Sequence, residues 1–313
     1  MSENLGGKGS GDRDFATTTV GLKWDSIPMK LYQLGKKLFW DPATIDLTED
    51  IRHWAKLGEL ERLFLVSVWS KFVAGEEAVS LDINPLISVM IGERRTEEVM
   101  YLEQFAFEES KHVEAFSRVF ETLRIKEDTS KYTKEMAPSY RKIFYEELPK
   151  AMWALKDDPS PENQVKASVT YNLIAEGVIA EGGYNIFRNT LGKLGVMPGF
   201  LRAVNWIAVD ESRHIAYGVY LVSRLIAEYG DPVYRAALSQ ASLLSPYALR
   251  VFEERSTGPA GEIPFAGPVE ATAEYARGLL KARLGVMDRA RNLPLERVMG
   301  LSLRDLGVET SRA

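Results

Sequence analysis

The stretches EESKH, residues 108–112, and DESRH, residues 210–214, are two well-separated copies of one phrase: acid, Glu, Ser, base, His. The chain holds three histidines, and two of them sit in these copies. On a helix, residues three apart share a face, one turn over the next. Glu109 with His112, and Glu211 with His214, therefore each point a carboxylate and an imidazole at one spot. Hard anionic oxygen beside neutral nitrogen suits a divalent metal. Two such pairs on facing helices would hold two ions.

A dimetal site in a helix bundle also needs one Glu from each of two further helices. Glu76, in FVAGEEAV, precedes Glu109 by 33 residues, and Glu176, in YNLIAEGV, precedes Glu211 by 35. If each pair forms an antiparallel hairpin with both acids at one height, its turn falls near the midpoint. Those midpoints are Gly92, in MIGERR, and the LGKLGVMPG stretch with Gly192 and Gly195, residues suited to turns. The site would lie about 25 Å below each turn, in mid-bundle. Four carboxylates would balance two divalent ions. The competing reading is solvated i,i+3 pairs on helix surfaces. Glu77 adjoins Glu76, and Glu108 lies four residues before His112, so both choices stay open here. The parallel with DESRH favours Glu109 and leaves Glu108 and Asp210 as matched neighbours, able to fix a histidine tautomer. His53, in DIRHWAKL, reads as structural.

At 313 residues, 45% hydrophobic and 27% charged, the composition is that of a globular protein with a sizeable core. A net charge of −5 without a basic block argues against nucleic acid as a partner. The absence of cysteine excludes disulfides, thiolate catalysis and iron–sulfur clusters and fits a cytoplasmic location. MSENLGGKGSGDRDF has no apolar h-region of a signal peptide, and LFLVSVW at 63–69 is too short to span a bilayer. Apolar residues recur at three- and four-residue steps over 58–90, 94–124, 161–190 and 197–229, predicting long amphipathic helices. A Gly/Pro-rich connector, STGPAGEIPFAGP at 256–268, precedes a final helix near 270–290. The expected organisation is a flexible segment over 1–24, one all-α domain over 25–290, and a short helix with a loose tail over 291–313. Three glycines in AEGVIAEGG, 175–183, cost a helix roughly 1 kcal/mol each relative to Ala; close packing, a π-bulge or room for a ligand would each account for them.

With these residues in hand, the chain resembles the ferritin-like dimetal-carboxylate superfamily, and within it the ligand-binding oxidases related to the small subunit of ribonucleotide reductase. The likeness runs from FWDPATIDLTED at 39–50 through FVAGEEAVSLDINP to DESRHIAYG at 210–218. It implies an all-α, ferritin-like bundle in which Glu76, Glu109, His112, Glu176, Glu211 and His214 bind one manganese and one iron, with a di-iron pair as the alternative. It further implies dioxygen activation, a long-chain fatty-acid-like ligand in a channel reaching the metals, two-electron C–H oxidation, and a homodimer. The family's ether cross-link joins a Tyr phenolic oxygen to a Val β-carbon; Tyr171 and Val79 are the matching positions. Trp40, Asp210 and His112 match a hydrogen-bonded electron path. The usual radical tyrosine of the reductase is replaced by Phe116, the first ligand is Glu rather than the common Asp, and the tail GVETSRA lacks the expected aromatic residue. Rival readings are a radical-generating reductase subunit, a ferritin-type iron-handling protein, and a lipid-binding protein with structural metals.

Overall fold

The computed structural model describes residues 15–135, 137–254, 269–308 and 310–311. The connector 256–268 and the first fourteen positions of the N-terminal segment lie outside the described residues. Four long helices carry the repeated phrase and its partners. They are α1 (Glu59–Asp82), α2 (Thr96–Thr122), α3 (161–192) and α4 (Pro198–Tyr229). α1 packs on α2, and α3 on α4, as the two-hairpin reading requires. Among the described residues there is no strand.

The predicted helix over 58–90 is broken once. Ile83 ends α1, and Asn84–Gly92, with Pro85 in its first turn, begins a separate helix; a proline fits a first turn but not a helix interior. The turns fall where the spacing places them. Arg94 adopts positive φ just after Gly92, and Gly195 and Met197 do so between α3 and α4. α4 starts on Pro198, and Asp50 accepts hydrogen bonds from Gly199 N at 2.8 Å and Phe200 N at 2.7 Å. These are orphan donors of a helix start, so a carboxylate from a neighbouring helix supplies the cap. His53 Nδ1 accepts from Met197 N at 3.0 Å, a structural post, as its sequence setting implies.

α3 departs from α geometry over Val169–Ala180, which is a π-helix, and again over Arg188–Gly192. Packing accounts for all three glycines of 175–183: a Cβ at Gly177 would sit 2.8 Å from Arg283 Nε and 2.9 Å from Asn172 O, one at Gly182 2.5 Å from the Phe252 ring, and one at Gly183 2.3 Å from Phe72. Behind α3 lie α5 (Asp231–Glu253) and α6 (Val269–Arg291). From α6, Arg283 donates to Gly177 O at 3.2 Å and to Glu181 at 2.6 Å, serving a carbonyl of the irregular stretch. Within 292–308 the chain packs back onto the body, with Leu295–Met299 helical and Val298 and Leu306 buried. At the other end, Ala16–Thr19 forms one helical turn and Lys23 N donates to Glu97.

The core divides into two apolar clusters. One contains Phe105, Tyr171, Val79 and Ile215; the other contains Phe116, Tyr184, Phe64 and Ile207. Each of α1 to α4 passes from one cluster to the other, and its single acid (α1, α3) or its Glu–His pair (α2, α4) lies near the crossing. The six predicted ligands therefore sit on the seam between two greasy halves.

Candidate metal centre

Glu76, Glu109, His112, Glu176, Glu211 and His214 are all buried, with none more than 5% exposed. They form two adjoining cages: Glu76, Glu109, His112 and Glu211 in one, and Glu109, Glu176, Glu211 and His214 in the other, with ligand atoms within 4.8 Å of one another in each. Glu109 and Glu211 belong to both, as bridging carboxylates would. His112 Nδ1 lies 3.3 Å from Glu76, 3.4 Å from Glu211 and 3.6 Å from Glu109. His214 Nδ1 lies 3.0 Å from Glu109, 3.6 Å from Glu211 and 3.7 Å from Glu176.

The donor set fits two metals. Both oxygens of Glu109, Oε1 of Glu176, Oε2 of Glu211 and Nδ1 of both histidines are buried without a hydrogen-bond partner. An orphaned buried polar atom costs about 1–3 kcal/mol, more when charged. Six of them converging on two points is a pattern that cations relieve and side-chain packing does not. The titration behaviour agrees. Burial pushes the Glu76 carboxyl up to about 8 despite His112 beside it, and burial also raises Glu176. At Glu109 burial works upward too, but the two flanking imidazoles outweigh it and bring the carboxyl down to about 2.

The outer nitrogens are occupied. His112 Nε2 faces Asp210 Oδ2 at 3.2 Å, and His214 Nε2 faces Glu108 Oε2 at 2.9 Å. This decides the open choice: Glu109 faces the cages, while Glu108 turns to the far side of a histidine. Glu77 is exposed, leaving Glu76 as the inward acid. Asp210 also accepts from Trp40 Nε1 at 2.8 Å, and the Trp40 and His112 rings stack at 6.3 Å. Arg213 donates to Asp210 at 2.6 Å and to Glu108 at 2.8 Å, and Lys111 pairs with Asp210 at 2.6 Å. Among its opposing influences, burial raises the Asp210 carboxyl, but His112, Arg213 and Lys111 together hold it well below the usual range.

The family of ribonucleotide reductase small chains matches residues 25–239. A solved R2-like ligand-binding oxidase from Sulfolobus acidocaldarius is 49% identical, covering 91% of this chain and 98% of its own, with a TM-score of 0.85. Two variants of an R2-like ligand-binding oxidase, each with an anaerobically reconstituted Mn/Fe cofactor, are 32% identical over 88% of this chain and 98% of theirs, with a TM-score of 0.82. The chain belongs to this family. As an R2-like ligand-binding oxidase it keeps the all-α bundle expected from its sequence.

In this oxidase Phe116 is buried against Phe72 and Phe200, at 5.5 and 6.1 Å between rings, so no phenol occupies that place. Tyr171 and Val79 come together: the Tyr171 hydroxyl donates to the Val79 carbonyl at 3.1 Å. A cavity of about 710 Å³, counting its open mouth, is lined mainly by apolar groups such as Val68, Phe144, Ile179 and Phe252, with Gly75 and Gly183 in its wall. Glu76, Glu176 and Glu211 also line it, so the cavity adjoins the two cages.

Several residues of the site escaped the sequence reading. The Tyr184 hydroxyl lies 3.4 Å from Glu76 and 3.3 Å from Glu211. Asn172 donates to Glu176 at 3.0 Å and is itself held by Ser168. Asn172 lies four residues before Glu176, a helical spacing that offered a signal. Arg213, three after Asp210, offered another. Tyr184 had none, because it reaches the site across α1 and α4.

Proposed function

We propose that this chain is a dioxygen-activating Mn/Fe oxidase that binds a long-chain, fatty-acid-like molecule and carries out two-electron C–H oxidation. The observation that supports this reading is a mainly apolar cavity whose lining includes Glu76, Glu176 and Glu211, members of two adjoining buried carboxylate–histidine clusters. Glu76, Glu109, His112, Glu176, Glu211 and His214 would hold the two ions. When bound, that metal pair supplies the redox chemistry that amino-acid side chains lack.

The chain's own residues set the conditions for it. Asp210 and Glu108 hold each histidine with its outer nitrogen engaged and Nδ1 free for a metal. Asn172 and Tyr184 restrict the carboxylates of Glu176, Glu76 and Glu211. A fatty acid in the cavity would place its carboxylate beside the cages, while its tail leaves water at about 0.8 kcal/mol per buried CH₂. A C–H bond would then be held beside the oxidant rather than meeting it by diffusion. Trp40, through Asp210 and His112, is the proposed path for electrons from outside.

The Tyr171–Val79 ether belongs to the same reading. The tertiary C–H at the Val79 β-carbon is weaker than a methyl C–H. Forming O–Cβ removes the phenolic hydrogen and that hydrogen, and the two electrons and two protons pass to dioxygen. Residues 25–290 are proposed as the catalytic domain, working as a homodimer in the cytoplasm.

The test is aerobic loading of metal-free protein with manganese and iron, with dioxygen uptake recorded and solvent extracts analysed by mass spectrometry. Uptake together with a bound long-chain acid supports the reading. No uptake refutes the oxidase, and empty extracts with no binding of added long-chain acids refute the channel.

A further inference from the structure

A column of buried aromatic rings leads away from His214. Phe105 stacks on it with 3.6 Å between ring centroids and a 17° interplanar angle. Tyr101 follows at 6.1 Å from Phe105, Tyr217 at 5.3 Å from Tyr101, and Tyr220 at 6.2 Å from Tyr217. The Tyr220 hydroxyl donates to Met299 Sδ at 3.5 Å, and Met299 is 40% exposed. Aromatic packing is a sufficient reason for such rings; their hydroxyls are what distinguish this column.

Oxidation of a phenol by one electron makes it strongly acidic, so the step needs a base at the hydroxyl. Tyr101 has none, since its buried hydroxyl is without a hydrogen-bond partner. Tyr217 has one: its hydroxyl donates to Glu98 Oε2 at 2.8 Å, and both residues are buried. Arg95 lies 3.5 Å and Arg224 3.7 Å from the Glu98 carboxylate. These cations compensate Glu98 when it is ionised, and burial favours it when it is protonated. Either state is therefore tolerated, as a proton store requires.

We propose that Tyr217 is a redox-active tyrosine that passes one electron to the oxidised metal pair through Tyr101, Phe105 and His214, while its hydroxyl proton moves to Glu98. This rests on the dimetal oxidase reading above. The balance is one electron gained by the metal pair, one proton gained by Glu98, and a neutral phenoxyl left at Tyr217. An external one-electron donor of the ascorbate or thiol class, reaching the Tyr220–Met299 end, returns the electron, and Glu98 returns the proton. A site built to oxidise C–H bonds would otherwise turn on its own ligands when its cavity is empty. The column discharges it.

The test loads metal-free protein with manganese and iron in air, without added ligand, and records electron paramagnetic resonance on samples frozen at intervals. Dioxygen uptake and metal content are followed in parallel. The expected result is a tyrosyl signal that narrows with ring-deuterated tyrosine and is lost in Tyr217→Phe, with dioxygen uptake retained. Glu98→Gln, which keeps the shape but removes the base, should also lose the signal, so the proposal stays testable if one variant fails to fold. Dioxygen uptake with no tyrosyl signal in the wild-type chain overturns the proposal alone, as does a signal that survives Tyr217→Phe. No uptake in the wild-type chain overturns the oxidase reading and this proposal with it.

Discussion

Glu108 Oε2 lies 2.9 Å from His214 Nε2, so the acid that precedes one Glu-x-x-His pair orients the histidine of the other. Asp210 returns the arrangement to His112 at 3.2 Å, and Arg213 bridges both acids. The repeated phrase is thus reciprocal: each copy supplies two proposed ligands to the cages and one orienting acid to its counterpart. Glu108→Ala should weaken metal binding by about 10–100-fold. Competition with a chelator measures this, and unchanged affinity would make the Glu108–His214 contact incidental.

Replacing a histidine probes the cages directly. His112→Ala and His214→Ala are each expected to lose at least part of the metal pair, against two ions per chain in the unaltered protein. Full two-metal occupancy in both variants, measured by elemental analysis, would strike both residues from the ligand set.

The contact between Tyr171 and Val79 predicts a covalent product. After aerobic loading, peptide mass spectrometry should find the two segments joined, lighter by two hydrogens. Tyr171→Phe should abolish the link while leaving metal content nearly unchanged. A linked product in that variant would show that the phenolic oxygen is not the bridging atom.

Metal-free protein should become less stable as pH rises through neutrality. The Glu76 carboxyl stands at about 8 in the fold, chiefly from burial, against an ordinary 4.5. Between those values the folded chain keeps a proton that the unfolded chain has lost, so the slope of unfolding free energy with pH is negative. At His112 and His214 burial acts downward, but the facing carboxylates outweigh it and raise both imidazoles well above their usual value. Their stabilisation is present below the ordinary value of 6.5 and fades as pH passes the raised one, with the same sign. Thermal melts from pH 5 upward should therefore fall in the metal-free protein and flatten on metal loading. Calorimetry in buffers of different ionisation enthalpy should show proton release on metal binding at neutral pH. A metal-free melting temperature that rises with pH would contradict the assignment.

Two glycines should respond oppositely to alanine. A Cβ at Gly218 would meet Asn172 Cβ at 2.1 Å, and Asn172 is the residue that holds Glu176. Gly218→Ala should cost about 1–3 kcal/mol by overpacking and weaken metal binding as well. At Gly92 nothing lies within 4 Å, so Gly92→Ala should be neutral or gain up to about 1 kcal/mol of helix propensity. Denaturant melts of the two variants decide this.

The sequence by itself determined the helices, their pairing and the six residues that meet. Helical periodicity is a local property, and Glu-x-x-His at one turn's spacing survives any packing of the helix that bears it. Equal chain lengths on either side of Gly92 and of Gly192–Gly195 then brought the acids to one height. What lies across helices was decided only by the tertiary structure. Glu108 could not be told from Glu109 until α2 faced α4, since adjacent residues differ by a rotation that only a neighbour can register. Tyr184 serves acids on two other helices, and Gly218 is required by the close approach of Asn172 rather than by a turn. The column from His214 to Tyr220 crosses from α4 to α2 and back to α4, so no single stretch of sequence contains it. Local spacing fixes which face a side chain takes, and packing alone decides what that face meets.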